Sequence, residues 1–106
     1  MDDEWKRLKV LPHASVARVC AVYEIQDVMR LPSGKYKVKV LERRDDFLAV
    51  ANLAVKAADG SPDWISGMGS SELEALQDLV TRLGEQLATK AEWLDDELAW
   101  ADPQDF

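Results

Sequence analysis

Nucleophilic and metal chemistry depend on a few side-chain types, and this chain of 106 residues carries one cysteine, Cys20, and one histidine, His13. Thiolate catalysis needs a base within hydrogen-bonding reach and a third group to orient that base. Seven residues separate His13 from Cys20 across an expected loop-to-strand boundary. Cys20 also sits among apolar neighbours. The two therefore read as a structural cysteine and a surface histidine. A single cysteine excludes an internal disulfide, and the pair cannot complete a Cys/His zinc cage.

Carboxylates are plentiful, notably Asp45-Asp46 and Asp95-Asp96-Glu97. Hydrolytic or magnesium chemistry would need two of them on one face of a pocket, whereas adjacent residues on a helix diverge. They read as solvated acidic surface. Gly67-Met68-Gly69-Ser70-Ser71 has the exposed amides of an anion nest. It lacks the lysine of a phosphate loop and the third glycine of a dinucleotide fingerprint, so it reads as a flexible connection into a capped helix. No catalytic residue, cofactor or metal is expected, and the protein is read as a non-enzyme.

Two clusters suit binding. Lys35, Lys37 and Lys39 alternate along one strand face, extended by Arg43 and Arg44. Such a row contacts phosphates or an acidic partner, or simply faces solvent and discourages edge pairing. The aromatics that would stack bases are not interleaved there, which makes nucleic acid an unlikely partner. Trp93, Glu97 and Trp100 fall at i, i+4 and i+7 beside Asp95, Asp96 and Asp102. On a helix this is one stripe: an aromatic hot spot with a charged rim, or an internal or homodimeric packing surface.

The elements that must position these residues follow from periodicity. Residues 1–15 are a polar lead-in with a helical turn around Trp5 to Lys9, closed by Pro12. Val19, Ala21, Tyr23 and Ile25 alternate as a strand, although Val16, Val19, Cys20 and Tyr23 also fit one helical face. Leu31-Pro32-Ser33-Gly34 is a turn. The next strand sets Tyr36, Val38 and Val40 against the lysine row. A polar connection at Arg43 to Asp46 leads to a third strand, Phe47 to Val55, with Phe47, Ala49, Ala51, Leu53 and Val55 on one face. Leu48, Val50 and Ala54 make its other face apolar too, so that face needs a cover. Trp64-Ile65 reads as a short strand.

Ser71 and Glu74 form a capping box that starts a helix over 71–89. Its core stripe is Leu73, Leu76, Val80, Leu83 and Leu87. Gly84 costs about 1 kcal/mol against alanine, tolerable where a sheet packs closely. Ala91, Leu94 and Leu98 continue the helix or begin a second short one, ended by Pro103. The fold class is α+β: an antiparallel sheet of three to four strands on one main C-terminal helix, in a single domain over 16–100 with an acidic tail over 101–106. From the hairpin through the Gly-containing link into the capped helix, residues 35–90 resemble in outline the small antitoxin-type and double-stranded-RNA-binding-type folds. Neither family's diagnostic motif is present, so no residue role follows from that likeness.

Composition bounds the function. A hydrophobic fraction of 47% supports a folded core. There is no run of about 18 apolar residues, and the start Met1-Asp2-Asp3-Glu4 is acidic where a secretory signal is basic, so a cytoplasmic protein without membrane contact is expected. The net charge of −7 is uneven: residues 1–44 carry ten Lys/Arg against six Asp/Glu, and residues 45–106 carry three against fourteen. The expectation is an acidic regulator or inhibitor that docks on a basic surface of a larger protein, such as a nucleic-acid-handling or defence-system protein. Phage anti-defence inhibitors, antitoxins and immunity proteins share that charge and size. Two alternatives remain: a nucleic-acid module using the lysine face, and a domain with an unrecognised pocket.

Overall fold

A computed structural model describes residues 3–103 and 106; Met1, Asp2, Gln104 and Asp105 lie outside the described residues. Strands β1 (Arg18–Gln26), β2 (Lys35–Glu42), β3 (Phe47–Ala51), β4 (Leu53–Lys56), β5 (Pro62–Asp63), β6 (Ser66–Gly69) and β7 (Leu98–Trp100) surround one helix, α1 (Glu72–Leu87). A four-stranded antiparallel sheet, order β1-β2-β3-β6, is extended by a three-stranded one, order β5-β4-β7. The α+β class stands. The core lies between the larger sheet and α1, where Tyr36, Val38, Val40, Ala49, Leu79, Leu83 and Leu87 are buried. Among the described residues no helix is long and apolar enough to cross a membrane.

The ambiguous segment before the first turn is a strand, β1, and it carries a bulge between Val19 and Ala21. The extra residue, Cys20, reverses the alternation. Val19 therefore leaves the face it was expected to share with Ala21, Tyr23 and Ile25 and points out of the sheet. The lysine strand forms as read, with Tyr36, Val38 and Val40 inward.

The single strand expected over residues 47–55 is two. At Asn52 the main-chain N–H donates to Lys37 O at 3.0 Å while the side-chain Oδ1 accepts from Lys37 N at 2.8 Å. The side chain thus takes over a bond the ladder would have made, and the freed Asn52 carbonyl accepts from Ala101 N at 2.8 Å. The chain leaves β2 at this residue and pairs instead with β7.

Trp64-Ile65 is irregular, and the expected flexible link Gly67-Met68-Gly69 is itself strand β6, paired with β3. The glycines serve packing, not flexibility. A Cβ on Gly67 would stand 2.4 Å from Leu79 N and 2.5 Å from Ala75 O, and one on Gly69 2.5 Å from Glu74 Cβ. The helix backbone lies directly on β6. That approach rotates α1, and its buried stripe is Ala75, Leu79, Leu83 and Leu87 at strict i+4 spacing. Leu76 is half-buried and Leu73, expected inward, is 70% exposed. Gly84 has no neighbour within 4 Å of a built Cβ, so no close sheet contact explains it.

Ser71 caps α1 by accepting from Glu74 N at 3.1 Å. The Glu74 carboxylate reaches one residue further back than the expected box, to Ser70 N at 3.1 Å and Ser70 Oγ at 2.8 Å. Those donors hold the Glu74 carboxyl below its ordinary range. Beyond Leu87 the expected helical continuation is absent. A 3-10 turn over Asp95–Glu97 leads into β7. The open edge of β4 supplies backbone partners that a second helix would leave unpaired, and Leu98 is buried against it.

Candidate functional site

The segment after α1 is held by Trp93, Lys90 and Glu97. Trp93 is 5% exposed; its indole Nε1 donates to Leu87 O at 2.9 Å, satisfying a carbonyl at the helix end, and its backbone N donates to Arg30 O at 2.8 Å. Lys90 lies over the Trp93 ring at 4.8 Å and pairs with Glu97 Oε2. Glu97 Oε1 accepts from Leu94 N at 2.9 Å. Trp93, buried, and Glu97, partly exposed, therefore fasten the turn.

These fasteners project the residues between them. Leu94 is 61% exposed, and Glu92, Asp95 and Asp96 are exposed, their side-chain carboxylates without a hydrogen bond or ion pair among the described residues. Because the segment is a turn followed by a strand, Trp93, Glu97 and Trp100 do not share the helical stripe expected of them. Trp100 lies at the end of β7 opposite Leu53, partly exposed. The structure brings Asp95 and Asp96 together on one solvent-facing turn with the exposed Leu94 beside them. Leu94 was missed because helical phasing assigned it to the interior. The signal against that phasing was its place between Trp93 and two aspartates. A hollow of about 410 Å³ beside the turn is lined by Lys56, Gly60, Lys90, Trp93, Asp96 and Glu97.

The lysine row is not a bare cationic surface. Lys35 pairs with Glu24 at 3.4 Å, and the Phe106 ring lies 4.8 Å from Lys39 Nζ. Ala101, Asp102 and Pro103 border a hollow with Val22 and Lys37, so the chain's own tail crosses this face. Arg43 is turned away into a bidentate pair with Asp46, at 2.7 and 2.6 Å, which holds the Asp46 carboxyl below its usual range.

Arg44 instead lines a wide groove of about 1110 Å³ between the N-terminal segment and the β2–β3 connection, with Lys6, Arg7, Lys9 and Asp45. Sequence reasoning missed this groove, since nothing in periodicity folds residues 6–17 back onto that connection. Its wall is fastened by Glu42, buried and shared between Lys6 at 3.0 Å and Arg18 at 2.8 Å. The Lys6 ammonium, joined by the Arg18 guanidinium, holds Glu42 below the ordinary carboxylate range.

The β2–β3 connection that borders the groove precedes Phe47, and Lys56, at the end of β4, lines the hollow beside the acidic turn. The run from Phe47 through Lys56 joins them, about 30 Å of extended chain. His13 stands at a positive φ of 70° in the N-terminal segment, and the Cys20 thiol points at Arg18 O, 3.8 Å away. Among the described residues no group of three His, Cys, Asp or Glu is placed to hold a metal ion. No family model matches the chain, and no curated protein or solved structure shows significant similarity to it.

Proposed function

We propose that this domain is a non-catalytic binding protein whose acidic turn at Glu92–Asp96 docks on a basic surface of a larger protein. The observation that carries the reading is the turn at Glu92–Asp96. Among the described residues its side-chain carboxylates have no partner, its backbone is pinned from within by Trp93, Lys90 and Glu97, and it presents one apolar side chain, Leu94, among three charges. A pinned turn loses little conformational freedom on binding, and unpaired carboxylates lose no internal bond. Their field steers a cationic partner, while Leu94 and the exposed edge of Trp100 supply apolar contact. Restraint of a larger protein's basic working surface, as inhibitors and antitoxins achieve it, is the form of regulation this chemistry suits.

The test is capture from the native host extract with the wild-type chain and with Asp95→Asn/Asp96→Asn, each at low and high salt. A basic protein retained by the wild type at low salt and lost with the double variant supports the proposal. Undiminished capture of the same protein by the double variant overturns it. Leu94→Ala separates anchor from steering, since it should raise the dissociation rate with little change in association.

A further inference from the structure

We propose that the face of the four-stranded sheet opposite α1 is the interface between two copies of this chain. An antiparallel sheet covered on one side ordinarily alternates apolar-in and polar-out along each strand. Here the outward positions break that rule in register across all four strands. Val19 lies opposite Leu41, Leu41 opposite Leu48, and Leu48 opposite Met68, forming one continuous apolar row. The adjacent row is Val22, Lys39, Val50 and Ser66. Val19, Val22 and Met68 are about half-exposed, Met68 at 54%, and the helix packs on the other side.

Size and charge point to the same occupant. Four strands about 4.8 Å apart and four to nine residues long present a face of several hundred Å². That is the scale at which exposed apolar surface marks an interface, and it approaches the ~800 Å² per partner of a stable pair. The patch is also close to neutral: Lys35, Lys37 and Lys39 are set against Glu24 and the tail's Asp102 at its border. The acidic residues of α1, Glu72, Glu74, Asp78 and Glu85, lie on the opposite side of the sheet, so they do not oppose contact here. A polyanion would find too little net charge on this face, and a cationic partner would meet its lysines. A second copy brings the apolar row it lacks and a matching arrangement of both signs, the self-complementarity a two-fold contact requires. Two such sheets pack about 10 Å apart with strands inclined by roughly 30°.

Sedimentation velocity of the full chain over a concentration series tests this. The wild type should dimerise, and Met68→Glu/Val22→Glu should weaken dimerisation at least tenfold, because two carboxylates would be buried per copy. Leu73→Glu, on the outer face of α1, should leave it unchanged. Should the charged double variant fail to fold by circular dichroism, Met68→Gln/Val22→Gln makes the same comparison with a smaller step. A wild type that stays monomeric throughout, or a dimer equally strong in the folded face variant, overturns the proposal. Asp95→Asn/Asp96→Asn should dimerise normally, so this interface and the acidic docking turn stand or fall separately.

Discussion

The two glycines Gly67 and Gly84 are one substitution apart from a direct measurement of how α1 sits on the sheet. At Gly67 an added methyl would meet Leu79 N at 2.4 Å, Ala75 O at 2.5 Å and Leu79 Cα at 2.9 Å, all of them backbone. No rotamer change relieves that overlap. Ordinary carbon contact begins near 3.5 Å, so α1 and β6 must separate by roughly 1 Å, and a gap of 0.5 to 1 Å forfeits a quarter to a half of each dispersion contact. Overpacking of this kind costs about 1 to 3 kcal/mol, and a clash with backbone alone belongs at or beyond the upper end. At Gly84 a Cβ would meet nothing within 4 Å, so Gly84→Ala should gain about 0.5 to 1 kcal/mol of helix propensity. Urea titration with an m-value of about 1 to 3 kcal/mol/M should show the midpoint falling by about 1 M or more for Gly67→Ala and rising by a few tenths for Gly84→Ala. Equal shifts of the same sign would refute the packing argument, as would a neutral Gly67→Ala.

Two further outcomes follow from the rotated helix and the buried acid. Leu79→Ala should destabilise by about 2 to 5 kcal/mol and Leu73→Ala by less than about 0.5 kcal/mol, measured by the same titration. A folded-state carboxyl held low stabilises the fold above its unfolded value of about 4.3 and loses that contribution as pH falls through its lowered folded value. Glu42 is such a group, so the stability gap between wild type and Glu42→Gln should be full near neutrality and close progressively on acidification below about pH 4.3. Thermal melts across that range check it, and a gap that widens with acid refutes it.

What the sequence determined by itself is what local chemistry controls. Period-two alternation placed Tyr36, Val38 and Val40 opposite the lysines, the Pro-Ser-Gly turn joined β1 to β2, and Ser71 marked the start of α1, because each depends on neighbours a few residues away. The charge asymmetry was also visible as composition. Tertiary structure alone decided which face α1 turns inward. The Leu73-to-Leu87 stripe and the Ala75-to-Leu87 stripe lie within one helical turn of each other. Glycine in β6, bringing the sheet against the small Ala75, selected the second. Asn52 could not be recognised as a strand break from sequence, since its role depends on Lys37 lying beside it and Ala101 returning from the far end of the chain. The Trp93–Trp100 segment has helical spacing, yet its backbone groups and Leu98 find better satisfaction along β4 than in a free helix. Non-local pairing overrode periodicity there. In doing so it buried Trp93 and left Leu94 exposed beside Asp95 and Asp96.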